Sequence, residues 1–459
     1  MENSPEITST SAGRLYDVKR ETDSLPLVVF MRYTVPHMLD IHFIRENADL
    51  IKAGAAKKRI EVDIDRLLAV DDERKRLRQE LDAKKAEQNR RSNEIKRAQG
   101  AERDKVLEEM KHLKEGMAEG EEKLKGVMAE WQQLMLSVPN IPDMSVPEGE
   151  SDADNLEVKV WGEKTQFDFE PKNHVELMTA LDMLDLERGT KVAGFRGYFL
   201  KGDGVLLTNA IWQLALKHFG GKGFSPMIVP SLVRREPFLG TGYLPQGEED
   251  LYKTQDGDFL AGTAEVATMG YHMNETVEKG AFPIRFLSFS PCFRREAGAH
   301  SKDVKGLIRV HEFFKWEQVV LCEANHEESV RQHEALNRNT EEFIELLGIP
   351  YHTVANCGGD LGLGQVKKYD IELWVPGEQT YREISSASYF HDFQTRRLNI
   401  RYRDDDGTLK FAHSLNSTAI PTPRILVSII ENYQQADGTI KVPEALVPYV
   451  GKTVIGKAE

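Results

Sequence analysis

In the first third of the chain apolar residues recur at intervals of three, four and seven: Leu67, Val70, Leu77, Leu81 and Ile95, then Leu107, Met110, Met117, Leu124, Met128, Trp131 and Met135. Proline is absent from 64 to 135, glycine is sparse and charged residues fill the positions between. That spacing predicts a coiled-coil seam. A break at "RAQGAERD" around Gly100 divides the run into two helices of similar length, which predicts a long antiparallel hairpin, each arm about 50 Å long at ~1.5 Å per residue. Lys84, Gln88 and Arg91 interrupt the seam, so its outer half is expected to be less firmly zipped. The stretch "SVPNIPDMSVPEGESDADN" then reads as a linker ending near residue 155. Beyond it the pattern changes: period-two segments such as "PIRFLSFSPCF", "LIRVHEFFKWEQVV" and "KKYDIELWVP" mix with amphipathic helices such as "NAIWQLALKHF" and "VRQHEALNRNTEEFIELLG". The expectation is an α+β domain on a mostly antiparallel sheet. The domains are therefore expected at 1–37 (a disordered extension), 38–140 (the helical arm, opening at Met38), 141–155 (linker) and 156–459.

Bulk properties narrow the function classes. With 459 residues, 40% hydrophobic and 29% charged, the chain is long enough for two or three domains and a large core. No segment approaches the roughly 18 to 20 apolar residues that span a bilayer, so no membrane role is expected. Cys292, Cys322 and Cys357 are widely separated and odd in number, which fits a reducing compartment, here expected to be cytoplasmic. Residues 1–37 lack the cationic start and apolar middle of a secretory signal, and their acidic residues make a poor mitochondrial presequence. A net charge of −14 does not favour nucleic acid as a whole-surface partner, so any such contact needs a local basic patch. One exists: Lys84, Lys85, Arg90, Arg91, Lys96 and Arg97 stand against only Glu87 and Glu94 in the outer half of the first long helix. Two readings stay open, a solvated helix face or a contact to a phosphate backbone far from the body.

The stretch "CFRREAGAHSKDVKGLIRVHEFFKWEQ" (292–318) puts charges where buried strands should avoid them. If 286–296 and 307–320 are two strands joined by "AGAHSKDVKG", period-two geometry places Arg294 and Glu296 on one face of the first, and Arg309, Phe313 and Glu317 on one face of the second. Internal ion pairs are one reading. The other is a nucleotide surface, since arginines suit polyphosphate, a ring suits a purine and a carboxylate accepts from an exocyclic amine. Other candidates carry less. "CGGDLGLGQ" lacks the phosphate-loop spacing and reads as a loop between helix and strand; "DDDG" (404–407) reads as a surface turn; the histidines lack metal-ligand spacing.

"FRREAG...GLIRVHEFFKWE" resembles motif 2 of class II aminoacyl-tRNA synthetases, in wording similar to that of the seryl-tRNA synthetase family. The similarity runs along nearly the whole chain: "MLDIHFIRENADLI" (38–51) resembles that family's N-terminus, "GTAEVATM" its serine loop, "KKYDIELWVPGEQTYREISSAS" and "DFQTRRLNIRYR" its distal catalytic segments, and "LNSTAIPTPRILVSIIENYQ" its motif 3. The resemblance implies catalytic roles for Arg294 and Arg424. It implies an ATP site of Arg294 (α-phosphate and serine carboxylate), Glu296 (adenine amine), Arg309 (far phosphates), Val310 (backbone contact), Phe313 (adenine stacking), Glu383, Ser385, Ser386 and Arg424. Glu383 and Ser386 would also hold Mg²⁺, which strict alternation forbids unless a bend or bulge intervenes. Thr263, Glu265, Arg294, Glu317 and Thr418 would enclose L-serine.

The resemblance further implies activation of serine by ATP to seryl-adenylate and pyrophosphate, then transfer to tRNA(Ser), and to tRNA(Sec) as well, with the arm gripping tRNA by shape and backbone. A homodimer is implied, with "GFSPMIVP" as its motif 1 strand. Motif 3 departs from the family: "NSTA" and "TPR" stand where a common bacterial pattern has glycines, which leaves the path of that loop open while Thr418 and Arg424 are kept. Two rivals stay open: a class II synthetase for another small amino acid, which should lack the arm and serine loop, and a non-catalytic tRNA-binding relative, which should have lost ATP groups.

Overall fold

The computed structural model describes residues 40–298 and 306–456; the extension expected over 1–37 and the boundary at Met38 lie outside the described residues. Two short helices, α1 (Ile41–Glu46) and α2 (Ala48–Lys57), form the base of the arm, and α3 (Ile64–Ile95) and α4 (Gly100–Ser137) are its long hairpin. Asp63 starts α3: its side chain accepts from the Arg66 amide at 2.8 Å, satisfying a donor that the first helical turn leaves free. Gly100, at φ 54°, supplies the turn into α4. Ile44, Ile51, Leu67, Val70, Trp131 and Met135 close a buried cluster at the base. Beyond Leu81 the α3 side of the seam turns polar, while Val106 of α4 stays buried. Lys84 Nζ donates to the Gly116 carbonyl at 2.8 Å, and Arg91 reaches Glu109 across the hairpin at 3.2 Å.

The body is an eight-stranded sheet. Its strands are β1 (Leu156–Trp161), β2 (Ser225–Ile228), β3 (Ile284–Phe293), β4 (Glu312–Cys322), β5 (Tyr351–Ala355), β6 (Lys367–Val375), β7 (Thr380–Tyr389) and β8 (His413–Thr422), in spatial order β1-β5-β6-β7-β8-β4-β3-β2. Every pairing is antiparallel except β2 with β3. Helices α5 (Leu186–Ala193), α6 (Gly202–Gly220), α7 (Ala264–Tyr271), α8 (His326–Leu347) and α9 (Arg424–Asn432) pack around it. The largest core cluster joins α6, α8 and α9 to the sheet through residues such as Phe219, Phe343, Tyr351, Ile371 and Ile429. Among the described residues no helix is long and apolar enough to cross a membrane.

Two expectations need correction. The charged hairpin is shorter than 286–296 and 307–320: the β3–β4 ladder ends at Phe293 opposite Glu312, so Arg294, Glu296 and Arg309 lie in the connection and not on strand faces. Glu296 at φ 53° and Gly306 at φ 93° show why, because a strand cannot continue through left-handed backbone. Likewise, "CGGDLGLGQ" connects strands β5 and β6, not a helix and a strand. That loop also receives the arm: the buried ammonium of Lys58 donates to the carbonyls of Gly362, Leu363 and Gln365 at 3.2, 3.1 and 2.5 Å. Burial holds Lys58 well below the ordinary lysine range.

Candidate active site

Residues paired in an antiparallel ladder share a face of the sheet. On β4 the alternation puts Phe313, Lys315 and Glu317 on one face, opposite Cys292, Ser290 and Ser288 of β3. Thr418 of β8 pairs with Glu317, Asn416 with Val319, and Ser388 of β7 with Asn416, so the same face continues across β8 and β7. Ser386 faces Asp370 of β6, and Glu383 faces Glu372, with Ile384 left over as a bulge. The bulge brings Glu383 and Ser386 to one face, as their expected joint role requires.

Although Arg294, Glu296 and Arg309 leave the strands, the connection folds back over this face. With Val310, Phe313, Glu383, Thr418 and Arg424 they line one cavity. The Arg294 guanidinium lies 5.4 Å from the centre of the Phe313 ring, and its Nε donates to the Gly262 carbonyl at 3.3 Å. Arg309 is ion-paired with Glu296 at 3.1 Å. Arg424, the first residue of α9, donates from Nε to the Ile308 carbonyl and from Nη1 to the Glu383 carbonyl, each at 2.9 Å. Burial, with the nearby Arg294 and Arg309, pulls its guanidinium below the ordinary value. Ser385 is different: it pairs with Ile371 and so alternates to the opposite face from Ser386, and its hydroxyl donates to the Thr418 carbonyl at 2.6 Å.

A second, enclosed cluster adjoins this cavity. Thr263 caps α7 and donates to Glu317 Oε2; Lys315 Nζ lies 3.0 Å from both the Thr263 hydroxyl and Glu317 Oε2. Asn416 donates to the other Glu317 oxygen at 3.3 Å. Glu265, 2% exposed, accepts from Tyr243 at 3.0 Å and from Gln394 at 2.6 Å. Burial, and next the charge of Glu317, push its carboxyl up to about 7. Arg294 bonds the residue before Thr263, so it joins the two clusters.

The sequence reading missed Lys315, Asn416, Tyr243 and Gln394. Lys315 was accessible to it, since the alternation that groups Phe313 with Glu317 passes through it. Tyr243 and Gln394 come from distant segments and carry no local signal. Among the described residues no group of three His, Cys, Asp or Glu side chains is placed to hold a metal ion. Glu383 and Ser386 offer two hard oxygen donors on one face, backed by Asp370, whose carboxyl burial pushes up to about 7 against the pull of Lys368. That donor set suits Mg²⁺ completed by water and phosphate.

On the arm, Lys84 and Arg91 are engaged within the hairpin, and Lys85 lies 4.0 Å from Glu121. Arg90 pairs with Glu87 yet stays largely exposed, and Lys96 and Arg97 are exposed near the tip.

Comparison with known proteins agrees with this architecture. Residues 38–142 match the family model of the seryl-tRNA synthetase N-terminal domain, and 252–433 match that of the tRNA synthetase class II core domain (G, H, P, S and T). The serine–tRNA ligase of Deinococcus radiodurans is 43% identical over 422 residues, covering 92% of this chain and 99% of that protein. That of Thermodesulfovibrio yellowstonii is 43% identical over 426 residues, covering 91% and 100%. The crystal structure of seryl-tRNA synthetase from Pyrococcus horikoshii complexed with ATP superposes with a TM-score of 0.83 at 37% identity, over 92% of this chain and 100% of that one.

Proposed function

Because this chain belongs to the seryl-tRNA synthetase family, we propose that the sheet face described above joins serine to ATP and that the arm presents tRNA to it. The chain is an ATP-dependent serine–tRNA ligase. The observation that carries the assignment of the site is the continuity of one face, from the arginine-lined cavity over Phe313 to the Thr263–Lys315–Glu317 cluster two strand positions further on.

In the first step the serine carboxylate attacks the α-phosphorus and pyrophosphate leaves. No general base is needed, because a carboxylate is ionised at neutral pH. The task is in-line positioning and neutralisation of phosphoryl charge. Arg294 spans both substrates, holding the α-phosphate and the serine carboxylate. Phe313 and Arg424 sandwich adenine, Glu296 accepts from its amino group, and Val310 meets it through the backbone. Arg309 turns from Glu296 to the far phosphates. Glu383 and Ser386 would hold Mg²⁺, which when bound would supply neutralisation of phosphate charge. Thr263, Glu265 and Glu317 take the serine ammonium, and Glu317 with Thr418 demands its hydroxyl, so that alanine would leave buried polar groups unpaired. In the second step a terminal ribose hydroxyl of tRNA(Ser), or of tRNA(Sec), takes the acyl group from seryl-adenylate, with release of AMP and of the hydroxyl proton.

We assign 38–140 to tRNA binding, with Lys85, Arg90, Lys96 and Arg97 as the phosphate-facing residues and Lys84 and Arg91 acting mainly to hold the hairpin. Residues 141–155 are the linker and 156–459 the catalytic domain. The working unit is a homodimer in the cytoplasm. ATP–pyrophosphate exchange with a panel of amino acids tests the reading: serine alone should support exchange, and Arg294→Ala should abolish it while leaving the fold intact by circular dichroism. Exchange with a different amino acid, or full exchange by the variant, would refute the site.

A further inference from the structure

Glu296 sits between two guanidinium groups. Arg309 Nη1 is 3.1 Å from Glu296 Oε2, and Arg196 Nη1 is 3.8 Å from the same oxygen. The two arginines differ in freedom. The Arg309 side chain is 32% exposed and lines the nucleotide cavity, whereas that of Arg196 is 2% exposed. The turn carrying Arg196 is fixed on several sides. Arg196 has φ 63°, a conformation that a non-glycine residue keeps only where its surroundings hold it. A Cβ on the following Gly197 would meet the Gly189 carbonyl at 2.5 Å, so the turn packs directly on α5. Tyr198 donates to the Glu312 carbonyl at 3.1 Å, tying the turn to the start of β4, and the Phe195 ring lies 5.1 Å from the Arg196 guanidinium.

We propose that Arg196 is a positioning residue for adenine recognition: it is the counter-charge that stays on Glu296 after the triphosphate draws Arg309 away, and it keeps that carboxylate aimed as an acceptor for the 6-amino group. The inference rests on the reading that Glu296 meets this amino group. Its consequence is base selection, since a guanine 6-oxo group would confront carboxylate lone pairs with no hydrogen to share.

Pyrophosphate exchange by the full chain, at saturating serine, should compare ATP with purine riboside triphosphate, which carries hydrogen in place of the amino group. Arg196→Gln should raise KM for ATP about tenfold, the scale of one weakened charge-assisted hydrogen bond, with little change in kcat and none in KM for the analogue. Arg196→Lys should recover part of the loss, and R196Q combined with E296Q should be no worse than E296Q alone. An equal rise in KM for both nucleotides would reduce Arg196 to a structural role and overturn the proposal. If instead E296Q changes KM equally for the two nucleotides, or for neither, the reading of Glu296 fails first and the proposal falls with it. Should R196Q not fold, the same comparison on R196K decides.

Discussion

Glu265 is buried among Tyr243, Gln394 and the charge of Glu317, and its carboxyl is pushed up to about 7 from an ordinary 4.5. Between those two values the folded state binds a proton that the unfolded chain releases, so this group's contribution to stability is present at low pH and is lost as pH rises toward 7. In the proposed site serine binding runs the other way. The substrate ammonium stays protonated throughout and favours the ionised carboxylate, so affinity should fall as pH drops through 7. The expected outcome is a KM for serine that rises by up to about tenfold per pH unit below 7, with KM for ATP nearly flat, and a Glu265→Gln variant whose serine KM is weaker but no longer follows this profile. Exchange kinetics from pH 6 to 8.5 would check it; a serine KM of the wild type flat across that range would contradict the proposed contact. At this scale the sequence was informative where chemistry is local. Arg294, Phe313 and Glu317 stand out because charge in an apolar run needs a reason. Tyr243, Gln394 and Arg196 do not, because each acquires its role only when a distant segment is folded against it.

The arm shows how an element can be legible in its period and obscure in its chemistry. Intervals of three, four and seven suffice to predict the hairpin because an apolar stripe on a helix has one economical use. The basic run was harder to interpret, since Lys84 and Arg91 count as positive charge in sequence but are spent inside the seam on Gly116 and Glu109. The strand ends were obscure for a different reason: alternation fixes which residues share a face, but a left-handed residue such as Glu296 resets it, whereas the bulge at Ile384 was foreseeable only from the joint role that the resemblance implies for Glu383 and Ser386. Deleting 75–120 tests the arm as an element. Every buried residue of the basal cluster lies outside that interval, from Ile41 to Val70 and from Trp131 to Val138, so the base should stay packed and docked through Lys58. Serine-dependent pyrophosphate exchange should remain near the wild-type rate, while charging of tRNA(Ser) should fall by at least about 100-fold, the consequence of losing several phosphate contacts. A truncated protein that charges tRNA normally would remove the arm from the mechanism.

At the scale of the whole molecule, what remains to be explained is apolar surface that the single chain leaves uncovered. Ile228, at the end of the edge strand β2, is 84% exposed; Phe199 and, on α6, Val205 and Leu206 are 44%, 41% and 47% exposed. Scattered apolar residues are ordinary, but β2 is also the strand whose unpaired side is the edge of the sheet, and Phe199 and Val205 line the same depression as Phe293 and His311, which border the β3–β4 connection. A second copy covering this surface would bury its apolar residues and brace the connection that carries Arg294 and Glu296, and would make assembly and catalysis interdependent. "GFSPMIVP" stands out in the sequence as an apolar strand, yet only the sheet order places it at an edge. Sedimentation equilibrium should therefore give about twice the 52.1 kDa chain mass, and Ile228→Asp with Leu206→Asp should shift the protein to monomer, because burying two carboxylates without partners costs several kcal/mol. The same variant should lose exchange activity in parallel with dimer content as protein concentration is lowered. A monomeric variant with full exchange would separate assembly from the chemistry and leave the exposed face without this role.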